Sequence, residues 1–179
     1  MGGSSSIHVL LLTGPPGIGK TTAIRRVARL LEGRRLRGFY TGEIRSAGVR
    51  KGFRLVTFDG DEAVLAHVEF RGEPRVSKYS VDLGAIDRVG VAALRPTTEA
   101  AAYLIDEIGK MECLSTSFVN AMRRLLDFDK PVIATVAQRG SGLIQEVKQR
   151  PDAELWHVTR ENRDTLPDRV VAWLHSIRV

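Results

Sequence analysis

One run of eight residues, Gly14-Pro15-Pro16-Gly17-Ile18-Gly19-Lys20-Thr21, has the types and spacing that a polyphosphate site needs. It fits the pattern G-x-x-x-x-G-K-[ST]. Successive backbone N–H groups must turn inward on phosphate oxygens, and glycine permits so tight a curl. A helix starting at the end of the run would present its positive terminus to the same anion. Lys20 is then placed for the β- and γ-phosphates, and the Thr21 hydroxyl for a Mg²⁺ ion, with Thr22 next in line. The same run can also be a strand-to-helix turn that binds nothing. An apolar strand before it and an amphipathic helix after it favour the phosphate site.

The second constellation is Asp106-Glu107, two carboxylates closing the apolar stretch Tyr103-Leu104-Ile105. By itself a strand ending in two acids is an ordinary polar terminus. Beside a phosphate loop, the first acid can hold Mg²⁺ and the second can orient or deprotonate an attacking water. In regular strand geometry the two point to opposite sides, so their roles should differ. Lys110, three positions on, either neutralises phosphate charge in the transition state or pairs with Glu107 or Glu112. Asn162 and Arg163 follow the last predicted strand, where ligands of α/β sheets sit, and can touch base or ribose; the alternative is a capping Asn162 and a solvated Arg163. Arg45, Arg139 and Arg163 are candidates for a cation acting on the transferred phosphate, each with a solvated surface role as the alternative. His8, His67, His157 and His175 lack metal-ligand spacing, and Cys113 reads as a small apolar group. Ser141, between Gly140 and Gly142, reads as part of a flexible loop.

The elements that must carry these residues follow from periodicity. Ile7–Thr13 is an apolar run, expected as a strand buried on both faces. Ile24, Val27, Ala28 and Leu31 give a helix over about Thr21–Glu32. Strands are expected at Phe39–Ile44, Phe53–Phe58, Ala63–Val68, Ala101–Ile105, Val132–Ala137 and Leu155–Thr159, the second and third of them joined as an antiparallel hairpin. Tyr79–Leu83 is ambiguous. Helices are expected at Ile86–Leu94, around Phe118–Leu126, at Leu143–Gln149 and around Val170–Ile177, the last with Pro167 near its start. Strands alternating with helices predict an α/β fold with a parallel sheet to which the hairpin is an antiparallel addition. Residues 1–6 read as a flexible leader or cloning remnant, and residues 7–179 as one domain.

Composition narrows the function classes. A chain of 179 residues with 43% apolar and 27% charged residues suits one globular domain. The single Cys113 excludes a disulfide scaffold and a multi-cysteine zinc site. No apolar run reaches the ~20 residues of a membrane span, so a reducing cytoplasm is the expected location. The net charge of +6 is uneven: residues 1–58 hold eleven of the 27 Lys and Arg and only two of the 21 acids. That concentration surrounds the phosphate loop, and neither aromatic interleaving nor a nucleic-acid motif accompanies it.

The run IDEIGKME (Ile105–Glu112) is more specific than the phosphate loop. With GPPGIGKTT, GFYTGEIR (Gly38–Arg45), GFRLVTFDG (Gly52–Gly60), YSVDL (Tyr79–Leu83) and VTRENRDTLP (Val158–Pro167), it resembles the cancer-related nucleoside-triphosphatase family, the thermostable NTPase family of archaea and bacteria, from Ile7 onward. The resemblance implies a P-loop three-layer sandwich, RecA-like or nucleotide-kinase-like, with a mostly parallel sheet. It also implies slow hydrolysis of ATP, GTP, CTP and other nucleoside triphosphates to diphosphate and phosphate. Carried over, the nucleotide site falls on Gly14, Pro15, Pro16, Gly17, Ile18, Gly19, Lys20, Thr21 and Thr22, with Asn162 and Arg163 on the base side. The metal ligands are Thr21 and Asp106, the cofactor is Mg²⁺, and the catalytic groups are Glu107, Lys20 and Lys110. Nucleoside triphosphates are the expected partners, with no membrane, no nucleic acid and a monomeric chain. The alternatives are a small-molecule or nucleoside kinase and an RNA- or DNA-binding P-loop module.

Overall fold

The structure, a computed structural model, describes residues 6–177; of the predicted leader, only Ser6 falls within them. The strands are β1 (Val9–Thr13), β2 (Leu36–Ser46), β3 (Val49–Thr57), β4 (Glu62–His67), β5 (Arg75–Val76), β6 (Tyr79–Val81), β7 (Ala102–Ile108), β8 (Val132–Val136) and β9 (Ala153–His157). The helices are α1 (Lys20–Leu30), α2 (Leu83–Ala85), α3 (Val91–Ala93), α4 (Thr116–Leu126), α5 (Leu143–Lys148) and α6 (Leu166–Ser176), and a π-helical turn, Ile86–Gly90, joins α2 to α3. The expected helix at Ile86–Leu94 is present from Ile86 to Ala93, with its first five residues π-helical. The ambiguous Tyr79–Leu83 segment supplies β6.

All nine strands form one sheet, in the order β5-β6-β4-β3-β2-β7-β8-β1-β9. β1 pairs in parallel with β8 and β9, and β7 in parallel with β8 and β2. The other four pairings, β2 with β3, β3 with β4, β4 with β6 and β5 with β6, are antiparallel. The expectation of a mostly parallel sheet is thus corrected to an evenly mixed one, and the antiparallel part is a meander rather than one hairpin. β2 joins the two halves. Its Leu36–Phe39 stretch runs beside β7, while Phe39–Ser46 pairs with β3. Past Phe39 this strand is largely polar and only partly covered, so its length escapes a search for apolar runs.

Alternation along the parallel strands feeds two cores, one on each face. Val9 and Leu11 of β1, with Tyr103 and Ile105 of β7, pack under α4 and α5 through Phe118, Met122, Leu125 and Ile144. Leu10 and Leu12, with Leu104 and Ile133, pack under α1 and α6 through Ile24, Val27, Val170 and Trp173. Each fully covered Leu, Ile or Phe contributes about 1.5–3 kcal/mol of transfer free energy. That burial fixes the carboxyl ends of β1, β7 and β8 beside one another, which is where the chemistry lies.

Candidate active site

Strand β1 delivers the chain into the phosphate loop, and α1 begins directly after it at Lys20. Gly17 and Gly19 hold φ of 77° and 113°, the left-handed region that side chains avoid. Gly14 is needed for a different reason, since a Cβ there would stand 2.8 Å from the Val158 carbonyl oxygen. Lys20 is folded back on the loop, its Nζ donating to the carbonyls of Gly14 at 2.9 Å and Pro15 at 3.3 Å.

β7 runs through both acids rather than stopping before them, so the expected end at Ile105 is corrected. Its pairing with β8 shifts between Ile105 and Ile108, the stretch that holds Asp106 and Glu107. The strict alternation expected of the two acids lapses there, and their environments diverge. Asp106 is only 1% exposed. Its Oδ2 accepts from the hydroxyls of Thr21 at 2.7 Å and Thr41 at 3.2 Å, and its Oδ1 from the Thr135 hydroxyl at 2.7 Å. Glu107 is half-buried and faces an open cavity of about 520 Å³, shared with Pro16, Gly17, Gly19, Lys20, Thr21 and Thr22. Burial pushes its carboxyl above the ordinary carboxylate range; Lys20 opposes that rise and Asp106 adds to it.

The residues expected from sequence divide around this cavity. Lys20, Thr21, Asp106 and Glu107 are brought together. Within the loop, the Ile18 side chain turns away to pack on the α1–α6 core. Lys110 is exposed and makes no ion pair among the described residues, so neither Glu107 nor Glu112 holds it. Asn162 closes the turn after β9: its Oδ1 accepts from the Thr159 N–H at 2.9 Å and its Nδ2 donates to the His157 carbonyl at 2.8 Å. Both bonds serve the turn that follows β9. Arg163 lies against the phosphate loop, its Cδ 3.9 Å from where a Cβ on Gly19 would stand. Arg45 is engaged by Glu43 and the Gly48 carbonyl, and Arg139 is exposed past β8.

Sequence reasoning missed Thr41 and Thr135, which complete the shell around Asp106. It also missed Arg25 and Arg50, which line the cavity. Arg50 is paired with Glu43 at 2.7 Å, and Arg25 stacks over the Tyr40 ring. The GFYTGEIR run holds Thr41, but nothing within it marks which residue reaches Asp106.

The donors fit a hard cation. A hydroxyl and a carboxylate meet at the mouth of the loop, and no group of three or more His, Cys, Asp or Glu among the described residues forms a closed metal cage. Mg²⁺ is commonly held this way, by one or two protein oxygens completed by phosphate and water.

Comparison with known proteins agrees with this geometry. A family model described as NTPase matches residues 9–171. Nucleoside-triphosphatase THEP1 of Thermofilum pendens is 43% identical over 173 residues, which cover 93% of this chain and 95% of that protein. The cancer-related nucleoside-triphosphatase of Homo sapiens is 36% identical over 187 residues, 96% of this chain and 98% of that one. The crystal structure of THEP1 from the hyperthermophile Aquifex aeolicus superposes with a TM-score of 0.85 at 32% identity, covering 93% of this chain and 98% of its own. With a family model over residues 9–171 and relatives aligned over nearly their whole length, the chain belongs to the NTPase family of nucleoside-triphosphatases.

Proposed function

We propose that the chain hydrolyses nucleoside triphosphates to diphosphate and inorganic phosphate, with Mg²⁺ as its cofactor and with broad base preference. The observation that carries this reading is the 2.7 Å contact between Thr21 and Asp106, at a cavity walled by Lys20 on one side and Glu107 on another. The two cores on opposite faces of the parallel strands support a three-layer P-loop sandwich as the architecture.

Backbone N–H groups of the loop and the α1 terminus bind the β- and γ-phosphates, with the Lys20 ammonium as counter-charge. Thr21 and Asp106 would hold Mg²⁺, which when bound neutralises charge growing on the phosphate oxygens. The hydroxyls of Thr41 and Thr135 keep Asp106 in place. Glu107 accepts a hydrogen bond from the attacking water at its carboxylate and aligns it with the γ-phosphorus. Its raised proton affinity suits it to take the water's proton. Placement and electrostatics then supply most of the acceleration, as a loose phosphoryl-transfer transition state requires.

Glu107→Gln should lower turnover about 10²–10⁴-fold while nucleotide binding, followed by fluorescent-nucleotide titration, persists. Undiminished phosphate release from that variant would sink the assignment. Phosphate release across ATP, GTP, CTP and UTP, with and without Mg²⁺, tests the cofactor and the base preference.

A further inference from the structure

Glu107 stands between two cavities. The phosphate-side cavity is described above. The second, of about 280 Å³, shares Thr41, Phe53 and Glu107 with it, but no phosphate-loop residue lines it. Its wall is mainly apolar, formed by Leu65, Val76, Met111 and Ala137, with Lys110 and Glu112 as polar points. One water occupies about 30 Å³. This space is several times larger, and water gains little from an apolar wall. A volume near the lower end of ligand pockets, apolar with a few convergent polar groups, suits a small molecule instead.

Glu112 adds a second observation. Its side chain lies in this wall although the residue is only 5% exposed. No side-chain cation pairs with its carboxyl among the described residues. Burial pushes its pKa up to about 8, so near neutral pH it is mostly a neutral acid with an O–H to donate. Such a donor inside an apolar pocket fits a ligand that carries a carbonyl or ring nitrogen.

We infer that this second cavity is an acceptor site, where a small neutral alcohol with an apolar ring or chain sets its hydroxyl against Glu107 and receives the terminal phosphoryl group in place of water. The inference rests on the nucleotide reading above. In the transfer, the alcohol oxygen forms a bond to the γ-phosphorus and its proton passes to the Glu107 carboxylate. The bond from the γ-phosphorus to the β–γ bridging oxygen breaks, and the nucleoside diphosphate leaves with that electron pair. Glu107 then returns the proton to solvent. Val76 and Lys110 also line a third cavity of about 580 Å³ that reaches Gly140 and Ser141. The acceptor thus has an approach that the phosphate loop does not line.

The test incubates the full chain with Mg²⁺ and ATP and, in separate samples, millimolar benzyl alcohol, hexanol, pyridylmethanol or thymidine. Phosphorus NMR separates phosphate ester from inorganic phosphate. At about 10 mM, an unbound alcohol competes with ~55 M water and would take roughly one transfer in several thousand. An ester share at least about tenfold above that ratio, for any of the four, is the expected result. Inorganic phosphate without ester in all four samples overturns the acceptor site and leaves the hydrolase reading standing. Neither product overturns the nucleotide reading and, with it, the acceptor site. Val76→Phe, which fills the cavity, should cut the ester share about tenfold; Ala137→Leu serves as a second filling variant if the first fails to fold. An ester share unchanged in the folded variant would mean that transfer occurs elsewhere, and would overturn the location.

Discussion

At the scale of single residues, the site turns on Asp106. A carboxylate this buried is tolerated because three hydroxyls donate to it, and each comes from a different element. Thr135 is fully buried and supplies the donor to Oδ1. Thr135→Val keeps the shape of that side chain but leaves a buried acceptor unmatched. We expect a loss of about 1–3 kcal/mol in urea unfolding, together with weaker Mg²⁺-supported turnover. Unchanged stability would show that Oδ1 is satisfied by other means. Glu107 differs from its neighbour because it faces open space, so its substitution should act on rate rather than on folding.

At the scale of elements, β2 decides how the two halves of the sheet meet. It lies against β7 through Gly38, where φ is 102° and a Cβ would stand 2.0 Å from the Leu104 carbonyl oxygen. Both the backbone conformation and the close approach demand glycine there. Gly38→Ala should push β2 off β7 and displace Thr41, three residues along, from Asp106. The strained φ alone should cost an alanine about 1–3 kcal/mol, and the clash with the Leu104 carbonyl adds to it. A melting temperature within a degree or two of the parent protein would contradict this account.

At the scale of the whole molecule, part of the positive charge of residues 1–58 is answered by acids, Glu43 within that stretch and Asp59 and Glu99 beyond it. Arg35 pairs with Glu99, Arg37 with Asp59, and both Arg45 and Arg50 with Glu43. Lys20 and Arg25 remain on the cavity wall, where a positive field draws a polyanionic nucleotide. The buried carboxyl of Glu112 links the fold to pH. Its proton affinity is raised in the folded state, so its contribution to stability is complete below the unfolded pKa of about 4.5 and is lost as pH rises toward about 8. Stability should decline through that window by at most about 1.4 kcal/mol per pH unit for this group. Glu112→Gln should flatten the profile, as read by thermal unfolding between pH 5 and 8; a slope unchanged by the substitution would show that the carboxyl is not the cause.

The features that sequence alone determined are those written in contiguous residues. The glycine-rich loop, the Lys20-Thr21 pair and the adjacent acids Asp106-Glu107 are local patterns, and local geometry is enough to give them meaning. The alternation of apolar strands and amphipathic helices likewise announced an α/β sheet, because period and burial are coupled within each element. Tertiary structure decided what depends on distant residues meeting. Thr135, Thr41 and Thr21 reach Asp106 across 29, 65 and 85 positions of chain, and no spacing rule spans such separations. Asn162, expected either at the base or in a cap, makes its side-chain bonds to backbone groups three and five residues before it. The length of β2, its turn from a parallel to an antiparallel neighbour, and the apolar cavity beyond Glu107 follow from which surfaces pack together, and packing exists only once the chain has folded.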